Sequence, residues 1–266
     1  ADNASTDGSI AFLQKKYPEI GVIQNSSNGG YAKGYNDALP HIDADIYCLL
    51  NSDVEVTKDW LIPIIKEFED RPLASIVQPK ILDYKNKTHF EYAGAAGGFI
   101  DKFGYPFCRG RIFNELEADN GQYNDVKEIF WATGACLFIK KEVFQELNGF
   151  DEDYFAHQEE IDLCWRAKNK GHKVYYVGAS EVYHLGGSTL NSMNPKKTFL
   201  NFRNSLYSLV KNLPAGKVFP LVLLRLILDG LAGLNFLFQG RFKHFLAIWQ
   251  AHFSFYKNFL TMYNKR

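Results

Sequence analysis

Residues 44–53, ADIYCLLNSD, constrain the fold more than any other stretch. An apolar run from Ile46 to Leu50 breaks off into Asn51, Ser52 and Asp53. A run this short and this apolar reads as a strand covered on both faces. In an open α/β sheet the C-terminal ends of such strands face the ligand. The stretch therefore predicts both a layered sheet and the side on which chemistry sits.

The neighbouring segments alternate in kind. GSIAFLQKKY (8–17) has helical spacing, with Asp7 or Ser9 placed to cap it, and EIGVIQN (19–25) reads as a short strand. NGGYAKGYNDAL starts glycine-rich and turns helical; KDWLIPIIKEFED is an amphipathic helix with Pro63 in its first turn; ASIVQPKIL is another strand. This alternation predicts an α/β fold with a mainly parallel sheet and helices on both faces. Residues 83–127 predict a hairpin and a long loop, and 128–150 a strand followed by a short helix that Gly149 ends. The helix EEIDLCWRAKNKG stops at Gly171, and one or two final strands lead into the LGGST turn. The character changes near residue 195, dividing the chain into an α/β domain at 1–194 and helices at 195–266.

Composition excludes little but helps in two places. Lys+Arg and Asp+Glu both number 30, so charge offers no argument for a nucleic-acid partner. The four cysteines, Cys48, Cys108, Cys136 and Cys164, lie far apart with no CxxC, which predicts reduced, mostly packed thiols in a cytoplasmic setting.

Four places could carry chemistry. Asp53, at the tip of a buried strand, suits a divalent cation bridging a diphosphate, or simply caps the turn. DNASTDGS and NSSNGGYAKGYN are rich in small hydrogen-bonding residues that could read a base and ribose, or just build turns. Neither fits a dinucleotide or P-loop pattern. FDEDYFAHQEEIDLCWR packs six carboxylates between Phe150 and Arg166. Glu159, Glu160 and Asp162 there favour the positive end of a helix dipole, and Asp162–Arg166 has i,i+4 spacing. Crowded among Phe150, Tyr154, Phe155 and Trp165, the same carboxylates would raise one another's pKa, as a general base requires. His184, at a strand end, could ligate a metal or contact a phosphate, or play a structural part.

Taken in order, DNASTDGS, NGGYAKGYN, LLNSDVEV, TGACLFIKKEVFQELNGFDEDYFAHQEEIDLCWRAKNKG and VYHLGGST resemble the family 2 glycosyltransferases, in particular the bacterial rhamnosyltransferase-like group of surface-polysaccharide synthesis. The resemblance covers residues 1–205 and implies a GT-A (Rossmann-like) fold. It also implies inverting, metal-dependent transfer from a UDP- or dTDP-linked sugar to a glycan or lipid-linked glycan acceptor. By position, Asp2, Asn3, Ser5, Asp7, Asn28, Lys33 and Asn36 would border the nucleotide. Asp53 and His184 would hold Mg2+ or Mn2+, with Asp53 the only acid of the Asp-x-Asp-like Asn51-Ser52-Asp53. Trp131, Gly134 and Ala135 would fall on the acceptor side. Glu160 stands where the family has its base, usually Asp, with Glu159 and Asp162 shaping the acceptor pocket. Family members begin with a strand, a helix and a second strand before DNAS, so the resemblance implies an N-terminally incomplete catalytic domain. The rival expectation is a truncated or degenerate copy that binds without catalysing.

The last third predicts membrane attachment. Residues 218–238 approach spanning length, but Arg225, Asp229 and Asn235 interrupt them, and Arg225 and Asp229 have pairing distance at i,i+4. Amphipathic helices lying on the inner face of the cell membrane fit better, anchored by Trp249, Phe253, Phe255 and Tyr256. The alternative is a helical bundle packed on the catalytic domain.

Overall fold

A computed structural model describes residues 1–113, 115–186 and 194–266; the Gly187–Thr189 part of the LGGST turn lies outside them. In chain order the elements are α1 (Ser9–Lys16), α2 (Gly30–Ala38), β1 (Ile46–Leu50), β2 (Val54–Val56), α3 (Leu61–Asp70), β3 (Ala74–Asp83), β4 (Gly98–Ile100), β5 (Pro106–Cys108), β6 (Arg111–Ile112), β7 (Glu115–Leu116), β8 (Val126–Ile129), β9 (Cys136–Lys140), α4 (Lys141–Glu146), α5 (Glu159–Asn169), β10 (Lys173–His184), α6 (Pro195–Asn212), α7 (Ala215–Phe238) and α8 (Phe242–Asn264).

The main sheet runs β1-β9-β3-β10-β2, with β8 sharing the outer edge of β10. It is mixed, which corrects the expectation of a mainly parallel sheet. Only β3 and β10 pair in parallel; β9 runs antiparallel between β1 and β3, and both β8 and β2 run antiparallel to β10. An apolar run betrays burial but not direction, so CLFIK reads equally well either way. The irregularity between Val177 and Glu181 divides β10, so that β8 pairs with its first half and β2 with its second. The predicted strand at 19–25 forms only a single parallel bridge, Asp2 to Gln24, held by Asp2 N–H to Ile23 O and Asn25 N–H to Asp2 O, both 2.8 Å.

Alternate residues of β9 feed different cores. Leu137 and Ile139 join Leu49, Ile76, Phe144 and Leu163 on the face covered by α2, α4 and α5. Cys136 and Phe138 join Ile64, Phe68 and Val77 under α3. A third core links α5 to the C-terminal helices through Tyr154, Trp165, Leu206, Leu209, Val218 and Phe255. The C-terminal segment thus forms three helices: α6 packs against α5 and against α8, and α7 and α8 pack on each other. Among the described residues one helix, Ala215–Phe238, is long and apolar enough to cross a membrane by length and composition.

Candidate active site

The turn after β1 is fixed from two sides. Asn51 N–H donates to Ala135 O at 3.0 Å, and Leu185 N–H donates to Asp53 O at 3.0 Å. The second bond latches the Asp53 turn to the end of β10, and His184 Nε2 comes to 3.3 Å from Asp53 Oδ1. Both predicted metal-side residues are therefore neighbours. The other ring nitrogen, Nδ1, lies 3.5 Å from Glu91 Oε1 without hydrogen-bond geometry. Burial pulls the imidazole's pKa down, but Glu91 and Asp53 on either side outweigh it and raise the value above the ordinary one. Asp53 and His184 offer one hard oxygen and one imidazole nitrogen at a single place. That pair fits Mg2+ or Mn2+ completed by phosphate oxygens and water. Among the described residues no group of three or more His, Cys, Asp or Glu is disposed to hold a metal by itself.

The residues expected around the nucleotide divide into two groups. Near the N-terminus, Asn3 Nδ2 donates to Asn28 Oδ1 (3.1 Å) and to Gly30 O (3.0 Å), while Asn25 Nδ2 reaches Asn3 Oδ1 (3.4 Å) and Gly34 O (3.0 Å). The Asp2 carboxylate accepts from Ser5 N–H at 3.1 Å, and Asp7 accepts from Ser9 N–H at 2.9 Å; Ser5 and Asp7 are exposed. Farther along α2, Lys33 pairs with Asp37 at 2.8 Å and with Glu152 at 3.8 Å. Asn36 exchanges two hydrogen bonds with the backbone of Phe150, at 2.8 and 2.9 Å. Asn36 thus fastens α2 to the acidic loop, and its side-chain amide is largely consumed by that task.

The acidic loop is backbone-strained where it enters α5. Phe155, His157 and Gln158 all have positive φ, at 64°, 68° and 71°. Non-glycine residues in that region cost on the order of 1–3 kcal/mol each and cluster at functional sites. Two clamps hold the loop. Tyr31 N–H donates to Phe155 O at 2.9 Å, an approach that needs Gly30: a Cβ there would lie 2.3 Å from that same oxygen, and Gly30 itself has φ +87°. From the other side, Asn204 Nδ2 of α6 reaches the carbonyls of Tyr154 (3.1 Å), Ala156 (3.0 Å) and His157 (2.7 Å). The imidazole of His157 is driven down to about 4 by burial and by the Lys197 cation, so it is neutral at pH 7.

The loop delivers Glu159 and Glu160 into shielded surroundings. Each has a buried Oε2 with no hydrogen-bond partner among the described residues. Burial pushes the Glu160 carboxyl up to about 7, against the pull of backbone N–H groups at the helix start; burial and the Glu160 charge raise Glu159 well above the ordinary carboxylate value. Tyr31 completes this corner. Its hydroxyl donates to Gly134 O at 2.8 Å, and a Cβ on Gly134 would come within 3.1 Å of that hydroxyl. Ala135 O receives Asn51 N–H, so the 134–135 backbone joins the Asp53 turn to the carboxylate pair. Trp131 is buried and spends its indole N–H on Phe99 O at 2.8 Å.

Asp162 is placed differently from the expectation that it shapes the acceptor pocket. It is 0% exposed, and its carboxylate takes Arg166 Nε (2.8 Å), Lys211 Nζ (2.9 Å) and Asn212 Nδ2 (2.8 Å). Burial opposes its charge, yet Arg166 and Lys211 hold its pKa well below the usual carboxylate range. Helical spacing predicted the Arg166 partner; Lys211 and Asn212 arrive from α6, which no local pattern could reveal. Glu91, Tyr31 and Asn204 were missed for the same reason, since each acts through contacts distant in sequence.

The fold and this geometry can be set beside known proteins. A family model described as "Glycosyl transferase family 2" matches residues 1–147. The N-acetylglucosaminyl-diphospho-decaprenol L-rhamnosyltransferase of Mycobacterium tuberculosis is 26% identical over 203 residues, covering 69% of this chain and 64% of that protein. Rhamnosyltransferase WbbL of Escherichia coli is 27% identical over 167 residues, covering 59% of this chain and 62% of that one. The chain thus spans just over three fifths of the length of these relatives. Among solved structures, the mannosyltransferase PcManGT of Pyrobaculum calidifontis, in complex with GDP-Man and Mn2+, superposes with a TM-score of 0.52 at 14% identity, covering 99% of this chain and 72% of that chain. At that identity the likeness shows a shared fold, the GT-A arrangement of a mixed sheet flanked by helices.

Proposed function

Because the chain belongs to glycosyl transferase family 2, we propose that it transfers a sugar, with inversion, from a nucleotide-diphosphate sugar to a hydroxyl of a glycan or lipid-linked glycan precursor. The observation that carries the reading is Glu160: a shielded carboxylate with a pKa near 7, just after a strained loop, close enough to Tyr31 to oppose its ionisation, while Tyr31 bonds Gly134 O next to the Ala135 anchor of the Asp53 turn. A base with that pKa is half ionised at neutral pH, near the optimum for general-base catalysis.

The chemistry follows from the positions. Glu160 accepts the proton of the acceptor hydroxyl while that oxygen attacks the anomeric carbon. The bond from that carbon to the diphosphate breaks, and the electron pair leaves with the nucleoside diphosphate. One displacement inverts the centre and needs no covalent enzyme intermediate. Glu159 sits beside it, and burial together with the Glu160 charge disfavours a second negative charge there. Tyr31, neutral because burial, Tyr35 and the two carboxylates oppose its ionisation, braces the wall at Gly134. Asp53 and His184 would hold Mg2+ or Mn2+, whose contribution is to neutralise charge on the departing diphosphate.

The lipid-linked acceptor follows the mycobacterial relative, whose name specifies a diphospho-decaprenol acceptor, and both that relative and the enteric one are named for rhamnosyl transfer; the UDP- or dTDP-linked donor rests on the family resemblance alone. The test is thermal: with Mn2+ present, a UDP- or dTDP-sugar should raise Tm, and Asp53→Ala should abolish the shift. In a chain that turns over, Glu160→Gln should remove activity and keep donor binding. No metal-dependent shift with any nucleotide sugar would leave the non-catalytic reading in possession.

A further inference from the structure

We propose that the α7–α8 hairpin is a docking face for an anionic membrane surface, on which the protein lies flat, with α7 along the bilayer plane and not across it. The reading starts from the two charges inside α7. Arg225 is 2% exposed and Asp229 0%. Arg225 donates to Phe103 O (3.2 Å), Gly104 O (3.1 Å) and Ser205 Oγ (2.8 Å), and stacks 3.6 Å from the centre of the Tyr105 ring. Asp229 accepts from Tyr105 Oη at 3.3 Å and faces His252 at 3.4 Å; Arg225 Nε itself lies 3.6 Å from Asp229. One side of α7 is thus pinned to the protein by polar contacts that a spanning position would strip away.

Turning those charges inward leaves the outer side of α7 without any beyond Lys217. From Val218 to Phe238 every exposed residue is apolar or glycine except Asn235, and Phe219 (78% exposed) and Phe238 (87%) stand almost free. On α8 the exposed residues Phe242, Leu246, Trp249, Phe253, Tyr256 and Leu260 recur at alternating steps of four and three, one continuous stripe. Monomeric proteins rarely show apolar surface on this scale unless it meets something.

Charge selects the occupant. Residues 195–266 carry eleven Lys and Arg and one acid, the buried Asp229, although the whole chain is balanced. Lys217, Lys243 and Lys257 are exposed beside the stripes, and among the described residues none enters an ion pair. Aromatic and aliphatic side chains bordered by lysines form the pattern of an interfacial helix on anionic lipid. A second copy meeting the same face would set lysines against lysines. The face also lies one helix from the chemistry: α6, which packs against both outer helices, carries Asn204 to the loop that leads into Glu159 and Glu160.

The test needs no donor and no turnover, so its failure is separable from failure of the proposed catalysis. The full chain is sedimented with phosphatidylcholine vesicles, with and without added phosphatidylglycerol. Binding should require phosphatidylglycerol, weaken with salt, and blue-shift the emission of Trp249 relative to a Trp249→Phe control. Phe219→Glu and Phe253→Glu, both at exposed positions, should each reduce vesicle binding at least tenfold while leaving circular dichroism and Tm unchanged. Lys243→Glu with Lys257→Glu should abolish the anionic preference. Vesicle binding that survives both phenylalanine substitutions would overturn the proposal. So would a lipid-indifferent dimer that the same substitutions dissolve.

Discussion

At the scale of single residues, Glu160 gives the sharpest expectations. Its carboxyl keeps a proton up to about pH 7 when folded and releases it near 4.5 when unfolded. As a base it works only when ionised, so kcat/KM should climb through an apparent pKa near 7 and level off above; a profile flat from pH 5 to 8 would exclude Glu160 as the base. Between 4.5 and 7 the folded state binds the extra proton, so this residue costs stability as pH rises across that window. Glu160→Gln should therefore melt higher than the parent above pH 7, with the gain fading below pH 4.5, a comparison open to differential scanning fluorimetry. Asp162 has the opposite sign. Its depressed pKa stabilises the fold above the ordinary carboxylate value near 3.8, and that stability drains away as pH falls through the lower folded value. The sequence made both carboxylates visible, as two of the six acids of a conspicuous run. It could not tell them apart, because the difference lies in which one meets Lys211 and Asn212 from α6.

At the scale of elements, the contact between α5 and α6 deserves the hardest test. Lys211→Met removes a cation that is 3% exposed and bonded to both Asp151 (2.6 Å) and Asp162 (2.9 Å). Breaking one partner of a buried ion network strands the others, typically at about 3–5 kcal/mol, so the urea midpoint should drop well outside error. Asn204→Ala should act on function more than on stability: with the carbonyls of Tyr154, Ala156 and His157 released, kcat should fall at least tenfold while the Tm shift on adding donor and Mn2+ persists. Equal losses in kcat and donor binding would assign Asn204 a general packing role. Helices were the legible elements. Gly149 and Gly171 mark the ends of α4 and α5 close to where composition placed them, and Pro63 sits in the first turn of α3. Strands were legible as buried runs but not as partners. Nothing in CLFIK says that it enters the sheet backwards between β1 and β3, and nothing in EIGVIQN says that it meets only Asp2.

At the scale of the molecule, the chain is one mixed-sheet unit continued by three helices, with its acids gathered in the first part and its bases dominating the last. That asymmetry was readable directly. What it means depends on Arg225 and Asp229, which look like interruptions of an apolar segment until the structure turns them inward. The change of composition near residue 195 looks like a seam, and Asn204, on the far side of it, holds the loop on the near side. This sets a rule for anyone recombining such proteins. A chimera that keeps the sheet of this chain but takes its tail from another will inherit the carboxylates of α5 without the hand that bends their loop. The smallest portable cassette runs through Asn212, and grafts cut earlier should lose stability along with the loop, because buried Asp162 is left without Lys211 and Asn212.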